Sequence, residues 1–136
     1  MKIIIPGVPV GKGRPKFSTV NGHAIAYTPA KTASYENLVK IAFQNSGQSA
    51  FDREAQLKAE IKAFFPIPKS TSKRNRALMK EKYILPAKKP DTDNIAKSIL
   101  DALNGLAYYD DAQICELHVH KYYSEDPRAE IIITDI

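Results

Sequence analysis

Residues 88–114 read KKPDTDNIAKSILDALNGLAYYDDAQI, and this stretch decides how helix and strand alternate in the chain. Ile95, Ile99, Ala102 and Leu103 recur at helical spacing, and Asn104-Gly105 is a helix stop, so a helix ends there. Pro90 disfavours helix at Lys89, which places Asp93 at the expected N-cap with Asp91 beside it at the positive end of the helix dipole. Lys97 follows Asp93 by four residues and Asp101 follows Lys97 by four, so the three form one row along a helix face. Past the glycine, Asp110-Asp111 opens into QICELHVHKYYS (113–124), where Cys115, Leu117 and Val119 alternate with Glu116, His118 and His120 as in a strand. An apolar helix stripe and an alternating strand that adjoin in sequence need each other's buried face.

Working outward, Gln56 to Pro66 has period two, with Leu57, Ala59, Ile61, Ala63 and Phe65 on one face of a half-buried strand. KTASYENLVKIAFQNSG (31–47) is a helix with Gly47 as its stop, and Ser72 to Tyr83 is a short basic helix with Ser/Thr cap candidates. KIIIPGVPV (2–10) reads as a strand broken by prolines, hence an edge; VGKGRPKFSTVNGHAIAYTPAK (10–31) reads as a loop or hairpin arm. AEIIITDI (129–136) is the last strand, after a tight turn at EDPR. The order β–loop–α–β–α–α–β–β predicts an α+β fold: one domain over 1–136, with a small mixed or antiparallel sheet and helices on one face.

The 136 residues suffice for one core, and 43% hydrophobic with 26% charged residues fits a globular protein. No run of about 18 apolar residues is present, so no membrane partner is expected. The start lacks the pattern of a secretory signal, and the single cysteine, Cys115, excludes an internal disulfide; both suit a cytoplasmic protein. Cys115 itself is expected as a small buried hydrophobe on its strand.

The net charge of +5 is modest but segregated. Residues 69–89 carry eight bases against Glu81 alone; Met1 to Tyr35 carry five bases and no acid; Asp110 to the end carry seven acids against Lys121 and Arg128. Segregation of this kind favours a polyanionic partner.

Each aspartate pair alone has an ordinary reading, Asp93 as a cap and Asp110-Asp111 as a turn. Together they offer four oxygen ligands at the entrances to a helix and a strand that adjoin in sequence, so the pairs could converge. Converging carboxylates repel unless a cation intervenes, and hard oxygen ligands with open water positions suit Mg²⁺ or Mn²⁺. Such a site beside basic segments is what metal-assisted phosphodiester hydrolysis requires, with a lysine to stabilise developing charge. An EF-hand loop starting at Asp91 would need Gly and Glu where Ala96 and Ala102 stand. No P-loop pattern exists, and neither Ser/His nor Cys/His catalysis has supporting spacing. His118 and His120 share a strand face without a third soft ligand, which reads as an exposed face.

KPDTDNIAKSILDALNG with YYDDAQI resembles the RusA family of Holliday junction resolvases of bacteria and their phages, and GVPVGKGRPKF and YTPAKTASYE are similar to it in the same order. The resemblance implies a small homodimeric α+β endonuclease, bacterial and in some cases phage- or prophage-encoded, that nicks four-way DNA junctions symmetrically with Mg²⁺ or Mn²⁺ and no small-molecule cofactor. It implies Asp91, Asp93 and Asp111 as metal ligands and Lys97 as the catalytic lysine, with Asn94 helping to hold DNA. Asp110 matches the first member of the family's aspartate pair, a further candidate, and Asp101 matches another family position. One departure stands out: the family's arginine ahead of the first aspartate is Pro90 here, leaving Lys88 or Lys89 for that contact. Lys12, Arg14, Lys16, Lys73, Arg74 and Arg76 are the further expected DNA contacts. A non-catalytic junction-binding protein and a nuclease preferring flaps or forks remain the alternatives.

Overall fold

A computed structural model describes residues 1–136. Strands β1 (Lys2–Pro6), β4 (Leu57–Pro66), β5 (Ile114–Ser124) and β6 (Arg128–Asp135) form one sheet in the order β1-β6-β4-β5. β6 runs antiparallel to β1 and β4, while β4 and β5 are parallel, so the sheet is mixed. β1 is an edge strand, in keeping with Pro6 at its end. Helices α1 (Ala30–Asn45) and α3 (Thr92–Leu103) pack against each other, and α2 (Lys73–Lys80) lies against β5.

The core forms where the inward strand positions meet the two long helices. Ile3, Ile5, Leu57, Ala59, Ile61, Ala63, Phe65, Ile131 and Ile133 supply the sheet side; Tyr35, Val39 and Phe43 of α1 and Ile95, Ile99 and Leu103 of α3 supply the other. The period-two and period-3.6 patterns thus meet at one apolar interface. Burial holds the Tyr35 and Tyr108 phenols well above their usual range, and Tyr108 Oη donates to the Leu100 carbonyl at 2.6 Å. No helix is long and apolar enough to cross a membrane.

One local feature bears out the expected hairpin arm, and two differ from sequence expectation. The arm over residues 10–31 contains a regular antiparallel hairpin, β2 (Lys16–Val20) and β3 (His23–Tyr27), turned by Asn21 and Gly22 at φ 52° and 78°. Cys115 is exposed rather than buried: the β4–β5 register shifts between Leu57 and Lys58, so Ile114 and Glu116 are paired and Cys115 is the extra residue. The turn at Glu125–Pro127 joins two strands that do not pair, since β4 lies between β5 and β6.

Candidate functional site

The helix α3 begins two residues earlier than the spacing alone suggests. Asp91, not Asp93, is the N-cap, at φ −70° and ψ 152°, and its side chain makes no capping hydrogen bond. Its carboxylate is therefore free of the structural task that competes with ligand binding; only Lys89 Nζ comes near, at 3.8 Å. Asp93 stands exposed in the first turn. The row Asp93–Lys97–Asp101 then descends the helix at four-residue intervals, about 6 Å of axial rise each.

A strap from Val10 to Gly13 is laid along α3. Ser98 Oγ donates to the Val10 carbonyl at 2.7 Å and Lys12 N donates to the Asn94 carbonyl at 2.8 Å. Gly11 permits this approach: a Cβ there would fall 2.8 Å from Pro90 Cβ and 3.2 Å from Asn94 Cβ. At Gly13 a Cβ would meet Pro29 Cγ at 2.9 Å, and the Gly13 N–H donates to Thr32 Oγ1 at 3.0 Å. The glycines of GKGRP are thus close-packing residues between the starts of α1 and α3. Beside the strap opens a cleft of about 450 Å³ lined by Lys12, Lys31, Lys89, Asp91 and Asn94, among others.

The Lys12 side chain turns inward. Its ammonium lies 2.5 Å from Glu36 Oε1 and 3.3 Å from Asp101 Oδ2, and it is only 20% exposed. Burial works against its charge, yet Glu36 and Asp101 prevail and raise its pKa. Asp101 also reaches Lys97 Nζ at 3.4 Å, so Glu36, Lys12, Asp101 and Lys97 form a continuous chain of alternating charge. Lys12, expected to contact DNA, is a strut here, and Asp101 orients Lys97.

Asp111 arrives from the other direction, in a short 3₁₀ turn over Asp111–Gln113 that precedes β5. Gln113 organises this turn, and sequence reasoning passed it over. Its Oε1 accepts from the Tyr109 and Asp110 N–H groups at 2.9 and 3.2 Å, and its Nε2 donates to the Asp52 and Ala55 carbonyls at 2.9 and 3.1 Å. Asp110 caps the turn by accepting from Ala112 N at 3.4 Å, and Asn104 Oδ1 accepts from Asp111 N at 3.0 Å. The reciprocal Asp–Gln pattern is a capping box, the signal that could have marked Gln113.

Burial, then Asp110, then Asp101 hold the Asp111 carboxyl above its ordinary range, with Lys97 offsetting part of the effect. Asp111 lies beside the Lys97–Asp101 half of the row, while Asp91 and Asp93 occupy the first turn of α3. No three carboxylates, imidazoles or thiolates stand close enough together in this arrangement to hold a metal ion. The donor set nevertheless fits a hard divalent cation. Every donor is a carboxylate oxygen, Asp91 and Asp93 are exposed and uncapped, and Asp111 carries the excess negative potential that a cation would relieve.

The remaining expected DNA contacts divide. Arg14 and Lys16 are exposed at the root of the β2–β3 arm, Lys73 and Arg74 are exposed on α2, and Lys89 is 88% exposed at the cleft. Arg76 is partly engaged: with Lys80 it binds Glu125, at 3.7 and 2.9 Å, and so fastens α2 to the end of β5. The Lys88 side chain is exposed while its carbonyl accepts from Lys121 Nζ. Asn94 is half-buried at the cleft floor. His118 is exposed, while His120 stacks on Tyr122, approaches Glu60 at 3.7 Å and shares a pocket with Thr92 of the first turn of α3.

The family model described as endodeoxyribonuclease RusA matches residues 6–134 of this chain. The whole chain aligns with the uncharacterized protein YqaN of Bacillus subtilis (strain 168), 35% identical over 139 residues and covering 96% of that protein. It is 26% identical over 130 residues to the crossover junction endodeoxyribonuclease rusA of Lactococcus phage r1t, covering 95% of this chain and 92% of the phage protein.

Proposed function

The chain belongs to the RusA family of endodeoxyribonucleases, and from that footing we propose that it is a divalent-metal-dependent nuclease that resolves four-way DNA junctions by paired nicks. The observation that carries this reading is the placement of Asp111 beside Lys97 and Asp101, on the helix whose first turn presents Asp91 and Asp93.

Asp91, Asp93 and Asp111 would hold Mg²⁺, for which Mn²⁺ could substitute, with Asp110 shaping the turn that carries Asp111. A divalent ion bound there would polarise the phosphodiester and make a bound water acidic enough to attack phosphorus in line. Lys97 serves the charge that builds on the phosphoryl oxygens. Its partner Asp101 is shared with Lys12, so the Lys97 ammonium is oriented without being fully neutralised. The cleft beside Gly11 receives the DNA backbone, with Lys31, Lys89 and Asn94 placed to donate to phosphate. Arg14, Lys16, Lys73 and Arg74 extend the basic track in a salt-sensitive manner. The products are a 5′-phosphate and a 3′-hydroxyl. Two nicks at a symmetric junction call for two active sites, and a twofold homodimer supplies them.

The open arrangement of the carboxylates favours one competing reading, a junction-binding protein without catalysis. Incubation with a synthetic four-way junction and Mg²⁺ separates the two. Paired symmetric nicks that disappear in Asp93→Asn, with junction binding retained, support the nuclease. Full cleavage by that variant removes Asp93 from the metal site, and no cleavage by the wild type supports the binding protein. Flaps and forks assayed in parallel establish substrate preference.

A further inference from the structure

We propose that the β2–β3 arm is a branch-reading element, in which Phe17 stacks on unpaired bases where DNA strands separate. This rests on the reading that the chain binds branched DNA, and it assigns that recognition to a part of the molecule outside the acidic site.

Every residue of both arm strands is exposed, and none belongs to the core. A two-stranded ribbon with no covering layer is marginal in water by itself, so its apolar side chains are held outward rather than folded away. The Asn21-Gly22 turn, with both residues at positive φ, makes the tip tight and the ribbon narrow. The register puts Phe17 opposite Ala26 and Thr19 opposite Ala24 on one face, so the ring stands among small side chains and is 72% exposed. Val20, Ile25 and Tyr27 line the other face, each close to half-exposed.

Charge decides what this apolar ribbon meets. No acid occurs from Met1 to Tyr35, and Arg14 and Lys16 closely precede Phe17 in sequence. The root of the arm is fixed by the Gly13–Thr32 and Lys12–Asn94 hydrogen bonds, beside the cleft that carries Lys31 and Lys89. A partner with a continuous negative backbone and flat apolar faces fits all of these features. A second copy meeting the arm face to face would set like charges together. A two-stranded β-ribbon fits the major groove, and apolar wedges inserted at base steps are an established means of opening a helix. An aromatic on a basic ribbon also stacks readily on bases that are already unpaired.

The test places 2-aminopurine at the branch point of a four-way junction, and at the same position in a matched duplex, without divalent metal. Full-length wild type, Phe17→Ala and Phe17→Tyr are titrated against both. Phe17→Ala is expected to abolish the fluorescence change at the branch and to weaken junction binding by about 5- to 150-fold, the range for loss of one base stack. Duplex binding should hold within about twofold, because the phosphate contacts remain, and Phe17→Tyr should restore the junction signal. Unchanged junction affinity and fluorescence in Phe17→Ala overturn the inference while leaving the nuclease reading intact. Equal weakening on duplex and junction overturns it too, as does a smaller sedimenting mass for Phe17→Ala, which makes the arm a contact between copies. Failure of the wild type to bind the junction at all overturns both readings.

Discussion

Replacing Gln113 by Ala would release the turn that carries Asp110 and Asp111. The amide makes four hydrogen bonds, accepting from two N–H groups and donating to two carbonyls, at 2.9 to 3.2 Å. At about 0.5–1.5 kcal/mol net for each bond, four give a gross effect of roughly 2–6 kcal/mol. Three of the four are open to solvent, so water replaces much of the loss. The expected destabilisation is therefore about 1.5–2 kcal/mol, at or just below the bottom of that range. With a urea slope of about 1–3 kcal/mol/M for small proteins, the unfolding midpoint should fall by roughly 0.5–2 M. Junction cleavage should fall by about 10–100-fold, as for the loss of a group that orients a metal ligand. Gln113→Glu keeps the acceptor and loses the donor, and it sets a third carboxylate beside Asp110 and Asp111. Its stability should recover toward low pH, where protonation restores the donor. A midpoint shift in Gln113→Ala below about 0.15 M, less than even one such bond implies, together with unaltered cleavage, would refute the role given to this side chain.

Gly11→Ala should lower stability by about 1–3 kcal/mol, the usual range for overpacking, because Pro90 is a ring that cannot swing away; urea unfolding measures it. Lys12→Met leaves Glu36 and Asp101 without their shared partner, and part-buried charges so stranded should reduce stability by about 1–3 kcal/mol. The raised Lys12 pKa means its contribution is complete below its unfolded value of 10.5 and is lost as pH climbs through the folded value. Alkaline unfolding of wild type against Lys12→Met should therefore converge above that pH. Tyr35 and Tyr108 carry the same sign, so alkaline lability should persist in the variant to a smaller degree. Asp111→Asn should raise the melting temperature of the metal-free protein at neutral pH. The raised carboxyl there lowers stability as pH rises through its folded value, and the amide has no such charge. The same change should cut Mg²⁺-dependent junction cleavage by about a thousandfold, the equivalent of several kcal/mol of charge stabilisation.

The sheet and its covering helices were legible because their residues obey one period each. Leu57 to Ala63 alternate without a break, and Ile95 to Leu103 keep a helical stripe, so both buried faces follow from sequence. Cys115 was misplaced because a bulge at Leu57–Lys58 leaves it unpaired, and periodicity counts residues without counting pairings. The start of α3 was misread by two residues because Asp91 and Asp93 both suit an N-cap; the backbone chose Asp91 while leaving its side chain unbonded. Among the site residues, the row Asp93–Lys97–Asp101 follows from helical spacing alone. The inward turn of Lys12 does not, since it depends on Glu36 reaching over from α1 across the strap. Local pattern likewise could not reveal that Gln113 ties the acidic turn to the carbonyls of Asp52 and Ala55, far away in the chain.

The most direct test of the account is to soak crystals of the protein with Mn²⁺ and locate the ion by its anomalous scattering. A peak held by Asp91, Asp93 and Asp111 at about 2.1–2.2 Å per bond is expected, with Lys97 alongside. Metal bound elsewhere, or the three carboxylates more than about 8 Å apart in the soaked crystal, too far for shared ligation, would contradict it.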